Sequence, residues 1–335
     1  MTRYNIYGLG NALVDIEFEI LPALLQELEI DKGVMTLLEE DHQQRILSHL
    51  DGQPAKRGCG GSAANTAIAV SQFGGKAFYS CKVAEDEPGQ FYLEDLLRCG
   101  VDTNLQHHTP EPGITGKCLV FVTPDADRTM GTFLGITANF SETELMPETI
   151  ADAEYTYIEG YLVSAPAAKD AAIKARQIAK AAGRKVSLSL SDFNMVKFFK
   201  EGLLEMIGTS IDFLFANESE ALGMADTQDL MVAIDYLKTL ASCFAITRGA
   251  EGSLIFDGQE LIEIAPVSVK AIDTVGAGDM YAGAVLYGLT HGMSFAEAGR
   301  LGSLASARLV TSLGPRLKTE TTRALLDELK HLPVA

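Results

Sequence analysis

The stretch DTVGAGDMYAGA, residues 273–284, decides the fold. A loop of small residues, Val275 to Gly278, carries a carboxylate at each end, Asp273 and Asp279. From Ala277 onward the chain reads as a helix, and its small face suits close packing on a sheet. The loop would then open that helix. Backbone N–H groups of Gly276, Ala277 and Gly278 would point outward there, and the dipole adds about half a positive charge. That is an anion site of the kind phosphoryl transfer needs, where charge builds up on the migrating group. Asp279 falls in the first turn beside the anion. A carboxylate so placed is costly unless it has work to do, and the work available is accepting the proton of an attacking hydroxyl. Asp273 is placed to order the loop or to bind a cation.

The rest of the chain surrounds this loop with alternating elements. Strand-like runs include residues 5–10, 76–83, 155–162, 185–191, 213–217 and 243–249. Helix-like runs at 62–73, 167–183 and 230–241 lie between them. Such alternation predicts a mostly parallel sheet covered on both faces. Two regions break the rhythm. In residues 13–20, Ile16, Phe18 and Ile20 alternate with Glu17 and Glu19, as in a strand wetted on one face. Residues 115–133 read as a hairpin turning at Pro124–Asp127. Both fit a small antiparallel sheet set apart from the main one; a lid and an ordinary edge of the main sheet are both open.

Composition narrows the function. The 335 residues are 47% hydrophobic and suffice for one large α/β domain with an appendage, or for two domains. A net charge of −18 argues against a nucleic-acid partner, so a bound phosphate compound needs local N–H groups, a metal or a few basic residues. Five scattered cysteines form no C-x-x-C pair, disulfide framework or zinc set. The opening MTRYNIYGLG has no signal-like apolar core, and no apolar run is long enough to span a membrane. A cytoplasmic enzyme is the expectation.

Of four further motifs, three leave a ligand reading open. GLGNAL (8–13) is not a dinucleotide fingerprint, because Leu13 stands where the third glycine belongs and a strand follows. GCGGSAAN (58–65) opens a helix with glycines that admit close approach; Ser62 is placed as its cap, with Asn65 in the first turn. ANESEA (216–221) ends an apolar strand, where open α/β sheets bind ligands. Its acidic residues either hold Mg²⁺ through water or simply open a helix. ITRGAEGS (246–253) runs a strand into a glycine turn, a hairpin that still allows a nucleotide against Thr247 and Gly249. His107 and His108 lack ligand-spaced partners and read as exposed loop.

Together, DTVGAGD (273–279), GNALVD (10–15), GGSAAN (60–65), NESEA (217–221) and TRGAEG (247–252) resemble the ribokinase-type (phosphofructokinase-B) carbohydrate kinases, in the family's order. GVDTN (100–104) and SLSLSDFNMVKFFKE (187–201) are most similar to the adenosine kinase branch. The resemblance implies a single ribokinase-like three-layer α/β/α domain over 1–335, with a small β-sheet lid built from about 11–22 and 112–135. It implies ATP and Mg²⁺ as cofactors and a nucleoside or sugar as the small-molecule substrate, with potassium as a further ion. By motif, Asp279 would be the base and Gly276, Ala277 and Gly278 the anion hole. Asn11, Asp15, Gly60, Gly61 and Asn65 would hold the sugar, with Tyr161 near the acceptor and Arg128 reaching from the lid. Asn217, Glu220, Thr247, Gly249, Gly252 and Gly278 would serve the nucleotide. Glu220 would meet Mg²⁺ through water, and Asp273 with the Val275 carbonyl would meet potassium. Adenosine is the first acceptor expected, a free sugar such as ribose or fructose the alternative. A non-catalytic nucleoside or sugar sensor is the rival from another class, and monomer and homodimer stay open.

Overall fold

The computed structural model describes residues 2–32, 35–53, 55–124 and 128–331, the side chains of Met35 and Arg128 excepted. Its main sheet has nine strands. Their order is Leu261–Ile264, Ser253–Phe256, Ala241–Thr247, Ile211–Asn217, Lys185–Ser189, Ala153–Glu159, Tyr4–Leu9, Ala77–Ser80 and Val101–Thr103. All neighbours from Ala241–Thr247 to Val101–Thr103 pair in parallel. The two glycine-linked hairpins at the other end are antiparallel.

The centre is parallel because its strands are apolar on both faces. In Ile211–Asn217, Phe213 and Phe215 enter one core while Leu214 and Ala216 enter the other. Ile6 and Tyr7 divide in the same way. A period of two with apolar residues at every step forces cover on both sides. Helices Ser62–Phe73, Ala277–Thr290 and Phe295–Leu309 supply one layer, and Pro166–Ala181, Phe193–Ile207 and Leu230–Leu240 the other. Helix Ala277–Thr290 is buried along Met280–Gly288. Its small face meets a neighbouring helix rather than the sheet alone: a Cβ on Gly283 would stand 2.6 Å from the Ala69 Cβ.

A second sheet of five strands stands apart, in the order Met35–Leu37, Arg128–Phe133, Gly116–Val122, Leu13–Glu19 and Lys56–Gly60. It has its own core of Phe18, Ile20, Leu25, Leu28, Leu119 and Phe121, so it is not an edge of the main sheet. The hairpin expected over 115–133 is present as an antiparallel pair, although Asp125, Ala126 and Asp127 of its turn lie outside the described residues. The sheet is mixed rather than antiparallel. Leu13–Glu19 pairs in parallel with Gly116–Val122, because both leave the main body in the same direction. Lys56–Gly60 returns to that body and pairs antiparallel with Leu13–Glu19. Met35–Leu37 and Lys56–Gly60 were not legible as strands. The first is short, and the second is glycine-rich and highly polar.

Candidate active site

The parallel strands end on one edge of the sheet. Leu9 sits beside Ile158, Glu159 beside Ser189, and Asn217 beside Thr247. The residues that follow, from Gly10 to Gly249, therefore gather where open α/β sheets hold ligands. Asn11 is buried there, and its side chain donates to Glu159 Oε1 over 3.1 Å. Gly61 caps the helix Ser62–Phe73 with φ of 97°, a left-handed conformation that side chains resist, and its missing Cβ lets the Asn11 carbonyl lie against it. Asp15, on the small sheet, lays its carboxylate over Gly60, where a Cβ would collide with it.

Ser62 is not the cap expected of it. Gly61 holds the cap position, with no side-chain bond, and Ser62 is the first helical residue. Its hydroxyl instead donates to Asp279 Oδ1 over 2.6 Å. Asn65 Nδ2 donates to Asp279 Oδ2 over 3.0 Å. The expected base is thus gripped at both oxygens from the opposite helix. Burial pushes the Asp279 carboxyl above the usual range, while those two bonds and the nearby Arg316 pull it back. A carboxylate so balanced binds a proton more readily than a free one does, as a general base must.

The loop before it is fixed at its other end. Asp273 is buried; Oδ1 accepts from Val275 N over 3.1 Å and Oδ2 from Gly314 N over 2.7 Å. It orders the loop, one of the two readings above. Gly276 caps the helix Ala277–Thr290 in a left-handed conformation, φ 77°. Gly278 is exposed, and nothing lies within 4 Å of where its Cβ would be. The helix N-terminus thus opens onto free space with Asp279 at its side.

At the other end of the edge, where the nucleotide is expected, Asn217 caps the helix Glu218–Met224 through a reciprocal capping box with Glu220. Glu220 Oε2 accepts from Asn217 N over 3.0 Å, and Oε1 accepts from Asn217 Nδ2 over 2.7 Å. Glu220 is buried by this, and desolvation raises its carboxyl to about 7. A cleft of about 290 Å³ is lined by Asn217, Glu218, Thr247, Arg248, Gly249 and Glu251. Gly252 is buried beside it and closes the turn without lining the cleft. Tyr161 lies among the carboxyls of Asp192, Glu159, Asp279 and Glu220; burial first, then those charges, hold its phenol neutral. It therefore stands between the two halves of the edge. The side chain of Arg128 lies outside the described residues. A larger cavity of about 380 Å³, around Asp86 and Leu105, contains none of these residues. Among the described residues, no cluster of three or more His, Cys, Asp or Glu side chains could hold a metal ion, and His107 and His108 are exposed. No helix among them is long and apolar enough to cross a membrane.

Sequence reasoning missed Glu159 and Arg316. Glu159 ends an apolar strand, a lone carboxylate where the run YTYI stops, and that was its one signal. It is 1% exposed and accepts from Asn11 N, Asn11 Nδ2 and Ala63 N. Arg316 donates from Nε to Asn65 Oδ1 over 2.8 Å.

Residues 38–322 match the pfkB family carbohydrate kinase model. The chain belongs to that family. It is 26% identical to an adenosine kinase of Dictyostelium discoideum over 336 residues, covering 94% of this chain and 96% of that one. The crystal structure of an adenosine kinase from Sinorhizobium meliloti superposes with a TM-score of 0.88 at 35% identity, over 97% of this chain and 99% of that one. A probable sugar kinase protein from Rhizobium etli gives 0.89 at 33%, over 98% and 100%. The fold is accordingly ribokinase-like, and the pfkB chain is a phosphotransferase acting on an alcohol group of a sugar or nucleoside.

Proposed function

We propose that this pfkB kinase moves the γ-phosphoryl of ATP to the 5′-hydroxymethyl group of a ribose-bearing acceptor, adenosine first. One observation carries the chemistry: Asp279, held by Ser62 and Asn65, stands beside a helix N-terminus that opens onto free space. Asp279 accepts the hydroxyl proton, and the N–H groups of Gly276 and Gly278 meet the charge on the moving phosphoryl; that of Ala277 donates to the Thr274 carbonyl over 3.2 Å and joins them only by leaving it. Asn11, Asp15 and Asn65 hold the ribose, with Gly60 and Gly61 giving room for close approach. The nucleotide lies along Asn217, Thr247 and Gly249. The open space above Gly249, where a Cβ would meet nothing within 4 Å, suits a ligand there. Mg²⁺ arrives with the ATP phosphates and keeps most of its water. Glu220 orients Asn217 and acts on that water shell only through it. Asp273 already spends both oxygens on backbone N–H groups, so potassium enters as an assay variable and no step depends on it.

The small sheet carries Asp15 and Gly60 to the cleft, and we assign it the role of a lid on a single domain spanning the chain. Five free thiols fit a reducing, cytoplasmic setting. The likeness to the S. meliloti adenosine kinase favours a nucleoside, and the R. etli neighbour keeps a free sugar as the second reading. A panel of nucleosides and free sugars with Mg-ATP, read as ADP release, decides between them. Adenosine should give the highest kcat/KM. Turnover of free sugars alone would overturn the nucleoside assignment. In the same panel Asp279→Ala should lower kcat about 10²–10⁴-fold while the acceptor still binds; near-normal turnover would remove Asp279 from the base role.

A further inference from the structure

We propose that Arg316 is a positioning residue for the base: anchored by Asp95, its guanidinium fixes the Asn65 amide so that Asn65 presents its NH₂ group to Asp279. The argument starts from donor counting. Arginine has five N–H donors and no acceptor. Arg316 Nε lies 2.8 Å from one end of the Asn65 amide, so that end must be the oxygen. The other end, 3.0 Å from Asp279 Oδ2, must then be the nitrogen. A flipped amide would set oxygen against carboxylate on one side and NH₂ against guanidinium on the other. Arg316 thereby locks one of two otherwise similar rotamers, and with it one of the two bonds that hold Asp279.

The guanidinium is itself held. Nη1 donates to Asp95 Oδ2 over 2.6 Å, and the Arg316 side chain is only 16% exposed. Asp95 is buried and also pairs with Arg98. The two residues before Arg316 touch the anion loop directly. Gly314 N donates to Asp273, and a Cβ on Gly276 would stand 2.6 Å from the Pro315 carbonyl. The segment 314–316 therefore reaches the loop directly at Asp273 and at the Gly276 cap, and Asp279 through Asn65.

Arg316 also supplies charge. The ionisable groups facing Asp279 are Arg316, Glu159, Tyr157 and Tyr161. Around Arg316 stand Asp95, Tyr92 and Cys59. Arg316 is the cation in the first set, so its removal should make Asp279 harder to ionise. Orientation and charge are separable, because lysine keeps the charge without the fork.

The test uses the full chain and two variants, Arg316→Met and Arg316→Lys. The first readout needs no activity: the Asp279 carboxyl is titrated by ¹³C NMR with carboxyl-labelled aspartate, and its resonance is assigned by its absence from Asp279→Asn. In Arg316→Met the midpoint should rise by about one pH unit; in Arg316→Lys it should stay near wild type. The second readout rests on the kinase reading above. With whichever acceptor wild type phosphorylates, Arg316→Met should lose about tenfold or more in kcat, KM for ATP should hold, and the acid limb should move to higher pH. Arg316→Lys should keep the limb but lose kcat. A folded Arg316→Met with an unmoved Asp279 midpoint and wild-type kcat would overturn the proposal. If wild type phosphorylates nothing in the panel, the kinase reading falls, and the titration still decides the role of Arg316.

Discussion

Glu159 and Glu220 are carboxyls buried at the ligand edge, each held by N–H donors. Burial pushes both up to about 7, outweighing the backbone bonds that pull them down. Each binds its proton more tightly in the folded chain than in the unfolded one, where glutamate titrates near 4.5. Their contribution to stability is therefore complete below about pH 4.5 and is lost as pH rises through about 7. Other carboxyls are shifted the other way, among them Glu87, held low by hydrogen bonds from Arg57, and Glu297, by those from Ser294. Groups of that kind weaken the fold only as pH falls below about 4. The melting temperature should accordingly peak at about pH 5 and fall by about 5 °C toward pH 8. Thermal melts across that range check this. A melting temperature still climbing at pH 8 would mean that both carboxyls ionise in the fold without cost.

At the scale of elements, the loop–helix unit at 276–290 offers two glycines with different demands. Gly276 is left-handed and pressed on the Pro315 carbonyl, so Gly276→Ala is strained by backbone and contact together. It should cost about 1–3 kcal/mol of stability and about 100-fold in kcat. Gly278→Ala meets nothing within 4 Å, so the fold should tolerate it, yet kcat should still fall if the new methyl occupies the space proposed for the anion. Melts and kinetics on the pair separate strain from phosphate contact, and wild-type kcat in both would show that the anion is bound elsewhere. These elements were legible because their signals are local. The helices at 62–73 and 277–290 begin and run as their glycines and small residues indicate. What was not legible depends on distant partners. Ser62 gave up capping for a carboxylate 217 residues away, and Asn65 meets Arg316 across 251 residues. No spacing rule reaches that far. The small sheet's direction was misread for the same reason, since it depends on where each strand leaves the main body.

For the molecule as a whole, an acidic chain of net charge −18 must bind a polyanion with few cations. Arg248, which lines the cleft proposed for the nucleotide, is already paired with Glu218 and Glu251. In the function proposed here, backbone N–H groups hold the phosphate, and they work best when water is excluded. In the lid role proposed above, the five-stranded sheet, with its separate core, would exclude it. Phe121 is fully buried in that core, with its ring centroid 6.4 Å from that of Phe18. Phe121→Ala should remove about 3–5 kcal/mol of packing from the small sheet and little from the main one. Hydrogen exchange should then quicken over Leu13–Glu19 and Gly116–Val122 while Ile211–Asn217 stays protected. The acceptor KM should rise about tenfold or more, because Asp15 and Gly60 ride on the loosened strands, and ATP hydrolysis without acceptor should increase. Exchange that quickened equally in both sheets would show one cooperative unit. An unchanged acceptor KM would show that the small sheet does not grip the substrate.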